Sequence, residues 1–292
     1  MTQATIERYT AHLEKVQYRE LMGHRLATWM DGPMDAPVIV FLHGFPSSSW
    51  DWDLQVAELV ADYRCLRMDF LGFGLSDKPH PHTYRLLEQA DLIEAFLKEK
   101  GIEDYLIIAH DYGNSVAQEL ISRSQNSSTD IHKVIYLNGG LFPEAHHPLT
   151  VQKLMAKPII GRLISMMIGK GTLEKSFKRI FGAQTPLSKD DLDITWSLLE
   201  RSNGRRVMSA ILAYIEERRV HRDRWLSAMR GAGVKSLFIN GVLDPISGQS
   251  MLNRYNELLP EEQTVALEVG HYPQFEASYE VNQILRKFLS NA

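Results

Sequence analysis

Three side chains capable of acid–base or nucleophilic chemistry follow three different predicted strands of this sequence. They are Asp111, Asp244 and His271. An ionised carboxylate is a nucleophile near pH 7 without help from a base, and a histidine oriented by a second carboxylate can activate water. Because ligands of open parallel sheets bind beyond the carboxyl ends of the strands, we expect these three side chains to share one site.

The stretch around Asp111 predicts a sharp turn between a buried strand and a helix. An apolar run, residues 105–108, precedes it, and a helical pattern, residues 116–121, follows it. Ala109 and Gly113 are small, which lets the strand and helix backbones pass close to each other. An Asp in front of a helix is by itself most often an N-cap. The flanking pattern favours instead a nucleophile raised above the end of the sheet.

The residue types indicate which reaction such a site would carry out. The sequence contains no G-x-S-x-G motif, so a serine nucleophile is not expected. A carboxylate attacks an sp³ carbon that carries a leaving group, such as an epoxide or carbon–halogen carbon, and forms an alkyl ester. We expect His271, oriented by Asp244, to activate water against an ester on Asp111. The backbone N–H groups of Phe45 and Tyr112 would stabilise the oxyanion.

The hydrophobic pattern predicts an α/β fold in which a helical segment interrupts the alternation of strands and helices. Strands are predicted at residues 16–23, 25–30, 37–42, 64–70, 105–108, 133–137, 234–240 and 264–269. Residues 143–230 contain helical patterns only, among them one helix over residues 207–220. A helical segment of this length inside an α/β pattern is typical of an inserted lid. With the order nucleophile, acid, histidine, this predicts an α/β-hydrolase fold. We expect a mostly parallel eight-stranded sheet with helices on both faces. Residues 1–142 and 231–292 would form the core domain, and residues 143–230 the helical lid.

Composition and charge restrict the classes of partner. The chain has 292 residues and a formal net charge of -4, which gives no reason to expect nucleic acid or an anionic membrane. Cys65 is the single cysteine, so an intrachain disulfide and a multi-cysteine metal site are excluded. No signal-peptide pattern and no membrane-spanning run are present in the sequence, so we expect a cytoplasmic protein.

Two motifs that suggest other ligands are incomplete. The pair Gly72 and Gly74 begins a dinucleotide fingerprint, but Asp77 stands where its last glycine belongs. His146 and His147 would suit a metal, but no third ligand has suitable spacing, and loop histidines are usually solvated. We expect no metal and no cofactor. The methionines and aliphatic residues of the lid predict a small lipophilic substrate, with water as the second reactant.

Four motifs carry a resemblance to a known family. They are His43-Gly44-Phe45-Pro46, residues 69–79, His110-Asp111-Tyr112-Gly113 and Gly270-His271-Tyr272-Pro273-Gln274. With these motifs the chain resembles the epoxide hydrolase and haloalkane dehalogenase branch of the α/β-hydrolase superfamily, from Tyr18 onward. The narrower resemblance is to the epoxide-hydrolase-like family of mesoderm-specific transcript proteins, and it is carried by residues 116–120, 137–140, 142–144, 152–154 and 212–215. The resemblance implies that His43 and Phe45 belong to the oxyanion and substrate-binding part of the site.

The resemblance also implies a choice between epoxide and halide chemistry. Epoxide hydrolases carry lid tyrosines that protonate the epoxide oxygen, and Tyr214 matches one of them, whereas a second has no clear counterpart. Haloalkane dehalogenases hold the halide with N–H donors, usually a Trp after the nucleophile and a Trp or Asn elsewhere. Tyr112 and Phe45 stand in those positions, and Trp196 of the lid is the remaining candidate.

We therefore expect an epoxide hydrolase that converts a lipophilic epoxide to a diol. A haloalkane dehalogenase is the first alternative. The others are an ester or lactone hydrolase, for which carboxylate attack would give an unfavourable anhydride, and a catalytically silent scaffold.

Overall fold

The computed structural model describes residues 1–290, with only the backbone for residue 158, and contains one eight-stranded sheet. The strands are β1 (Gln17–Leu21), β2 (His24–Asp31), β3 (Val38–Leu42), β4 (Arg64–Met68), β5 (Asp104–His110), β6 (Asp130–Leu137), β7 (Lys235–Gly241) and β8 (Gln263–Leu267). Their order is β1-β2-β4-β3-β5-β6-β7-β8. Only β2 runs antiparallel to its neighbours, β1 and β4. The predicted α/β-hydrolase sheet is confirmed.

Helices follow most of the strands. They are α1 (Gln3–Glu14), α2 (Asp53–Leu59), α3 (Leu86–Glu99), α4 (Tyr112–Ser124), α5 (Thr150–Met155), α6 (Pro158–Met167), α7 (Lys170–Ile180), α8 (Lys189–Glu200), α9 (Arg205–Ile211), α10 (Tyr214–Gly231), α11 (Gln249–Leu258), α12 (Pro273–Glu276) and α13 (Ser278–Ser290). No helix within residues 1–290 has an apolar stretch long enough to cross a lipid bilayer.

The central strand β5 is buried on both faces, as its continuous apolar run predicts. Ile107 belongs to the apolar cluster on one face, together with Leu92 of α3 and Val116 of α4. Ile108 points to the other face and belongs to a cluster with Leu285 of α13. Because successive side chains of a strand alternate between faces, this one run holds helices on both sides of the sheet. Burial of β5 thereby fixes the position of the turn that follows it.

The chain between β6 and β7 contains α5 to α10 and no strand within the described residues. One detail of the sequence prediction is wrong. The pattern predicted a single helix over residues 207–220, whereas α9 ends at Ile211 and α10 begins at Tyr214. Leu212 and Ala213 keep near-helical dihedrals, so the interruption is small and no helix-breaking residue marks it. This break sets the start of α10, the helix that reaches the candidate site.

The helix α1 was not predicted, because its sequence has no aliphatic stripe. Its inner face is aromatic instead. The ring of His12 stacks on Trp29 with a centroid distance of 4.3 Å, and the Trp29 indole donates to the His12 carbonyl at 2.7 Å. A buried imidazole therefore replaces the usual aliphatic contacts, and periodicity rules do not detect it.

Candidate active site

Asp111 lies at the tip of the turn between β5 and α4. Its φ is +45°, a left-handed conformation that is costly for a residue other than glycine. The turn is held by Asp111 N–H donating to the Asn138 carbonyl at 2.8 Å and Gly113 N–H donating to the His43 carbonyl at 3.0 Å. The Asp111 side chain makes no capping hydrogen bond to α4. The N-cap interpretation is therefore excluded, and the carboxylate is directed elsewhere.

His271 and Asp244 form a hydrogen-bonded pair. Nδ1 of His271 lies 2.7 Å from Oδ2 of Asp244. The Asp244 carboxylate also accepts from the Ile246 N–H at 2.8 Å and from the Ser247 hydroxyl at 2.7 Å. Asn138, the residue after β6, donates to it at 3.1 Å. Asp244 is thus fixed in place by several donors, and it holds the His271 ring with Nε2 free to act.

The charges of this pair shift both pKa values. Burial alone would lower the pKa of His271, but the Asp244 carboxylate and its hydrogen bond raise it to about 8. Burial would raise the pKa of Asp244, but the His271 charge and the accepted hydrogen bonds lower it to about 2. At pH 7 the pair is therefore an imidazolium–carboxylate pair that can give up one proton.

One backbone N–H contacts the Asp111 carboxylate, and a second begins the helix that follows Asp111. The Phe45 N–H donates to Oδ2 of Asp111 at 3.2 Å. Tyr112 is the first residue of α4, so its N–H is one of those that have no acceptor within the helix. An N–H pair of this kind can stabilise negative charge that develops on the Asp111 oxygen.

Arg218 of α10 contacts Asp111 directly, which the sequence analysis did not foresee. Its side chain is 1% exposed. Nη2 donates to the Asp111 carbonyl at 2.7 Å and lies 3.5 Å from Oδ1, while Nε donates to the Ser115 hydroxyl at 2.7 Å. Burial would raise the pKa of Asp111, but the Arg218 guanidinium, followed by His271, lowers it below its usual value. Asp111 is therefore ionised at neutral pH.

A cavity of about 730 Å³, including its mouth, opens beside Asp111 and His271. Its remaining wall is largely apolar and comes mainly from the inserted helices. The lining includes Met155, Ile168, Leu173, Phe177, Ile180 and Leu212. Such a wall suits a lipophilic ligand, with the carboxylate and imidazole at the polar end.

His146 also lines this cavity, contrary to the expectation that a loop histidine is solvated. It lies after the carboxyl end of β6 and is only 9% exposed. Burial, followed by the charge of Arg218, lowers its pKa to about 3. Its position beyond a strand end was the one available sequence signal, because that edge of the sheet also holds Asp111 and His271.

The structure places the other predicted residues around this centre. Tyr214 is 1% exposed, its ring centroid lies 5.0 Å from that of Tyr112, and the Arg218 guanidinium lies 4.5 Å from its centroid. Burial, followed by the Asp111 charge, raises the pKa of Tyr214. Phe45 lines the cavity beside Asp111 and His271. The described residues that do not line it include Tyr214, Tyr112 and Trp196. Tyr214 therefore packs against Phe45 and Tyr112 next to the cavity.

His43 lies under the loop that follows β3, and Trp196 lies outside the cavity. The His43 ring is fully buried, with Nε2 accepting from the Phe70 N–H at 3.0 Å and Nδ1 2.9 Å from the Gly44 carbonyl. It therefore fixes the loop that carries Phe45. Trp196 is on α8, where the Arg205 guanidinium lies 5.9 Å from its ring centroid.

A separate group of side chains within the described part of the chain has ligand atoms close enough to hold a metal ion. It consists of His24, His82 and Glu88, all half-buried. Nε2 of His82 already lies 2.9 Å from a Glu88 oxygen. The group is formed by β2, the loop before α3 and α3 itself, and none of its members lines the main cavity.

Comparison with known proteins identifies the class to which this fold and site belong. The family model of the alpha/beta hydrolase fold matches residues 37–278. The chain therefore belongs to the α/β-hydrolase family and is a hydrolase.

Individual relatives support the same class. Mesoderm-specific transcript homolog protein of Bos taurus is 38% identical over 253 residues, which span 82% of this chain and 74% of that protein. The hydrolase LipZ of Mycobacterium tuberculosis H37Rv is 36% identical over 84% of this chain and 86% of its own. The first similarity confirms the predicted resemblance to mesoderm-specific transcript proteins, and the second is to a protein named as a hydrolase.

A solved structure agrees on the fold. Haloalkane dehalogenase DbeA from Bradyrhizobium elkani USDA94 superposes with a TM-score of 0.76 over 94% of this chain and 97% of its own. Its sequence identity to this chain is 19%, so the likeness concerns the fold alone.

Proposed function

We propose that the protein hydrolyses a lipophilic epoxide to a diol through an ester on Asp111. The observation that carries this proposal is the carboxylate itself, uncapped, ionised and facing the Phe45 N–H at 3.2 Å, in a cavity shared with His271. An ionised carboxylate in this position can attack carbon directly, because no base is needed to activate the carboxylate.

The first step is ring opening. Oδ1 of Asp111 attacks an epoxide carbon while the C–O bond breaks. The alkoxide takes the phenol proton of Tyr214, whose hydroxyl lies next to the cavity and turns into it for this step. The raised pKa of Tyr214 keeps that proton in place until the alkoxide forms. The phenolate then recovers a proton from the His271 imidazolium through water, which leaves His271 neutral.

The second step is hydrolysis of the ester. Neutral His271 takes a proton from water, whose oxygen attacks the ester carbonyl, and the oxyanion on Oδ2 accepts hydrogen bonds from the Phe45 and Tyr112 N–H groups. Collapse releases the diol, whose oxygen takes the proton from His271. The Asp111 carboxyl group finally returns its proton to His271, so that one epoxide and one water give one diol.

The halide alternative is less well supported. The side chain of Tyr112, which follows Asp111, and that of Phe45 carry no N–H donor. Trp196 does not belong to the described residues that line the cavity beside Asp111. A bromide or chloride leaving group would thus lack side-chain N–H donors at those positions.

The test is product analysis on a panel of lipophilic epoxides, bromoalkanes and aryl esters. We expect diol from epoxides, and loss of turnover in Asp111→Asn by at least about 10³-fold, since an amide is a far weaker nucleophile. The exposed Asp35→Asn is the matched control and should retain full activity. Halide release without diol would identify a dehalogenase, and persistent diol formation by Asp111→Asn without deamidation would exclude this nucleophile.

The role of Tyr214 has its own test. Tyr214→Phe removes the proposed proton donor and keeps the ring that packs on Tyr112. We expect it to slow epoxide opening far more than any bromoalkane reaction, because bromide needs no proton. Equal effects on both substrate classes would assign Tyr214 a packing role only.

A further inference from the structure

The imidazole of His146 is a buried polar group for which the proposed steps have no use. Its ring lines the cavity together with Asp111 and His271. Within residues 1–290, no group hydrogen-bonds either ring nitrogen, and its pKa responds only to burial and to charges. Buried polar groups are almost always hydrogen-bonded, to protein, water or ligand. The ring of His146 is therefore available to a polar atom inside the cavity.

Burial and the nearby Arg218 guanidinium both keep the imidazole of His146 neutral. The two side chains meet over Gly140, where an added Cβ would clash with Nη1 of Arg218 and lie 3.2 Å from Cγ of His146. Burial of the ring and, second, the positive charge of the neighbouring guanidinium lower the pKa of His146 to about 3. A neutral imidazole has one N–H donor and one acceptor nitrogen. At pH 7 the ring can thus donate one hydrogen bond without being charged.

Two other polar side chains of the cavity wall hydrogen-bond to the backbone of their own helices or helix ends. The Gln152 carbonyl oxygen accepts from the Leu149 N–H at 2.8 Å, and the Ser176 hydroxyl donates to the Thr172 carbonyl at 3.1 Å. Both bonds belong to the local structure of the inserted helices. His146 differs from them because its ring is unpaired and interacts electrostatically with Asp111.

We propose that His146 is the second hydrogen-bond donor to the substrate oxygen, acting beside Tyr214, so that the site selects substrates whose leaving atom is an oxygen. This inference rests on the proposed epoxide chemistry. The N–H of His146 donates to the epoxide oxygen and more strongly to the alkoxide that forms from it, because a donor aimed at developing charge stabilises the transition state most. His146 loses no proton in this step, since the proton comes from Tyr214. It fills the place for which the sequence offered no second tyrosine.

The experiment measures ester formation alone. In a His271→Gln background the ester on Asp111 accumulates, and its rate of formation from styrene oxide and from phenethyl bromide is followed by rapid quench and intact mass. His146→Phe removes the donor, His146→Gln keeps an N–H donor of similar reach, and His147→Gln changes the exposed neighbouring histidine. Thermal unfolding of each variant verifies that it is folded.

We expect His146→Phe to slow ester formation from styrene oxide by about 10²-fold. His146→Gln should recover most of that rate, His147→Gln should leave it unchanged, and the bromide reaction should change much less. Ester formation at the parental rate in His146→Phe, or equal slowing in the Phe and Gln variants, would overturn the role of His146 while the ester mechanism stands. Failure of the folded His271→Gln parent to form any ester would instead refute the proposed function itself.

Discussion

Arg218, a buried arginine beside Asp111, has two opposing effects in the mechanism that we propose. Arg218 keeps Asp111 ionised, as the attack of its carboxylate on the substrate carbon requires. The positive charge of Arg218 also makes the carboxylate oxygen a weaker nucleophile. When Asp111 becomes a neutral ester, the guanidinium, whose side chain is 1% exposed, loses its counter-charge. A buried, unpaired cation is costly, so the ester is raised in free energy relative to the free carboxylate. Arg218 therefore favours hydrolysis of the ester over its accumulation.

Replacing Arg218 tests this coupling. Arg218→Met removes the hydrogen bonds to Asp111 and Ser115, and we expect it to lower the free energy of unfolding by about 3 kcal/mol, as for other broken buried ion pairs. It should also raise the pKa of Asp111, so that activity is lost at a higher pH on acidification. Urea unfolding and a pH–rate profile measure the two effects.

The control is the neighbouring Arg219, whose side chain is 61% exposed in a surface pair with Glu216. Arg219→Met should change stability by no more than about 0.5 kcal/mol. Equal losses in both variants would show that Arg218 has no special electrostatic role.

Sequence patterns indicated the candidate residues that follow strands in a fixed chain order. They did not indicate Arg218 and His146, which belong to no such pattern. Asp111, Asp244 and His271 each follow a strand in a fixed chain order, which is readable without a structure. Arg218 could have been paired with Tyr214 by its i, i+4 spacing on one helix face, but nothing local shows that this face meets Asp111. His146 required knowledge of how the loop after β6 folds over the sheet edge.

At the scale of elements, the geometry of the site depends on how closely α4 packs on β3. A Cβ at Gly113 would clash with the carbonyl oxygen of Leu42, the last residue of β3. This close approach brings the loop after β3, with its Phe45 N–H, to the Asp111 carboxylate. The glycine is therefore a requirement of packing between a strand and a helix rather than of an unusual φ.

Gly113→Ala should separate these two elements. We expect a loss of stability of about 1–3 kcal/mol, typical of overpacking, and a larger relative loss of activity because the Phe45 N–H moves away from Oδ2. Urea unfolding and steady-state diol formation measure both. Gly171→Ala in α7, where a Cβ meets nothing within 4 Å, should be neutral or stabilising by up to about 1 kcal/mol. A stable and fully active Gly113→Ala would contradict this account of the turn.

Elements with a regular hydrophobic pattern, such as β5 and β7, were predicted with small errors at their ends. Two features were not. Helix α1 packs through the aromatic ring of His12, and the α9–α10 break occurs at Leu212 and Ala213, both good helix formers. Both depend on tertiary contacts, which override local propensity.

At the scale of the whole molecule, charged and aromatic contacts join the helical segment between β6 and β7 to helices α4 and α11 of the rest of the chain. Glu119 of α4 accepts from the Trp225 indole at 2.7 Å and also bonds Arg224, while Glu144 bonds Arg222 and, at 2.9 Å, Arg254. These carboxylates are stable as anions, because their hydrogen bonds to arginine and tryptophan lower both pKa values despite burial. These contacts attach α10 to α4 and the segment after β6 to α11.

Buried histidines make the stability of the molecule depend on pH. Burial lowers the pKa of His12, His110 and His146 to about 3, against 6.5 in an unfolded chain. The unfolded state therefore binds more protons below pH 6.5, and the free energy of unfolding falls as pH decreases towards 3. His271 acts in the opposite sense, because its raised pKa gives stability that is present below 6.5 and lost as pH rises through about 8.

We expect the free energy of unfolding to fall from pH 6.5 to pH 5, with a slope of about 1.4 kcal/mol per pH unit for each histidine that stays neutral in the folded state. Urea unfolding at pH 7, 6 and 5 measures it. His12→Phe should remove one histidine's share of the slope. Stability that is independent of pH over this range would contradict the assigned protonation states.

The most direct test of the central claim is the intact mass of His271→Gln after incubation with a lipophilic epoxide that the wild-type enzyme converts to a diol. Without His271 the ester should form and persist. We expect an added mass equal to the whole epoxide, located on the peptide that contains Asp111. An unmodified protein, or an adduct on any other residue, would contradict covalent catalysis by Asp111.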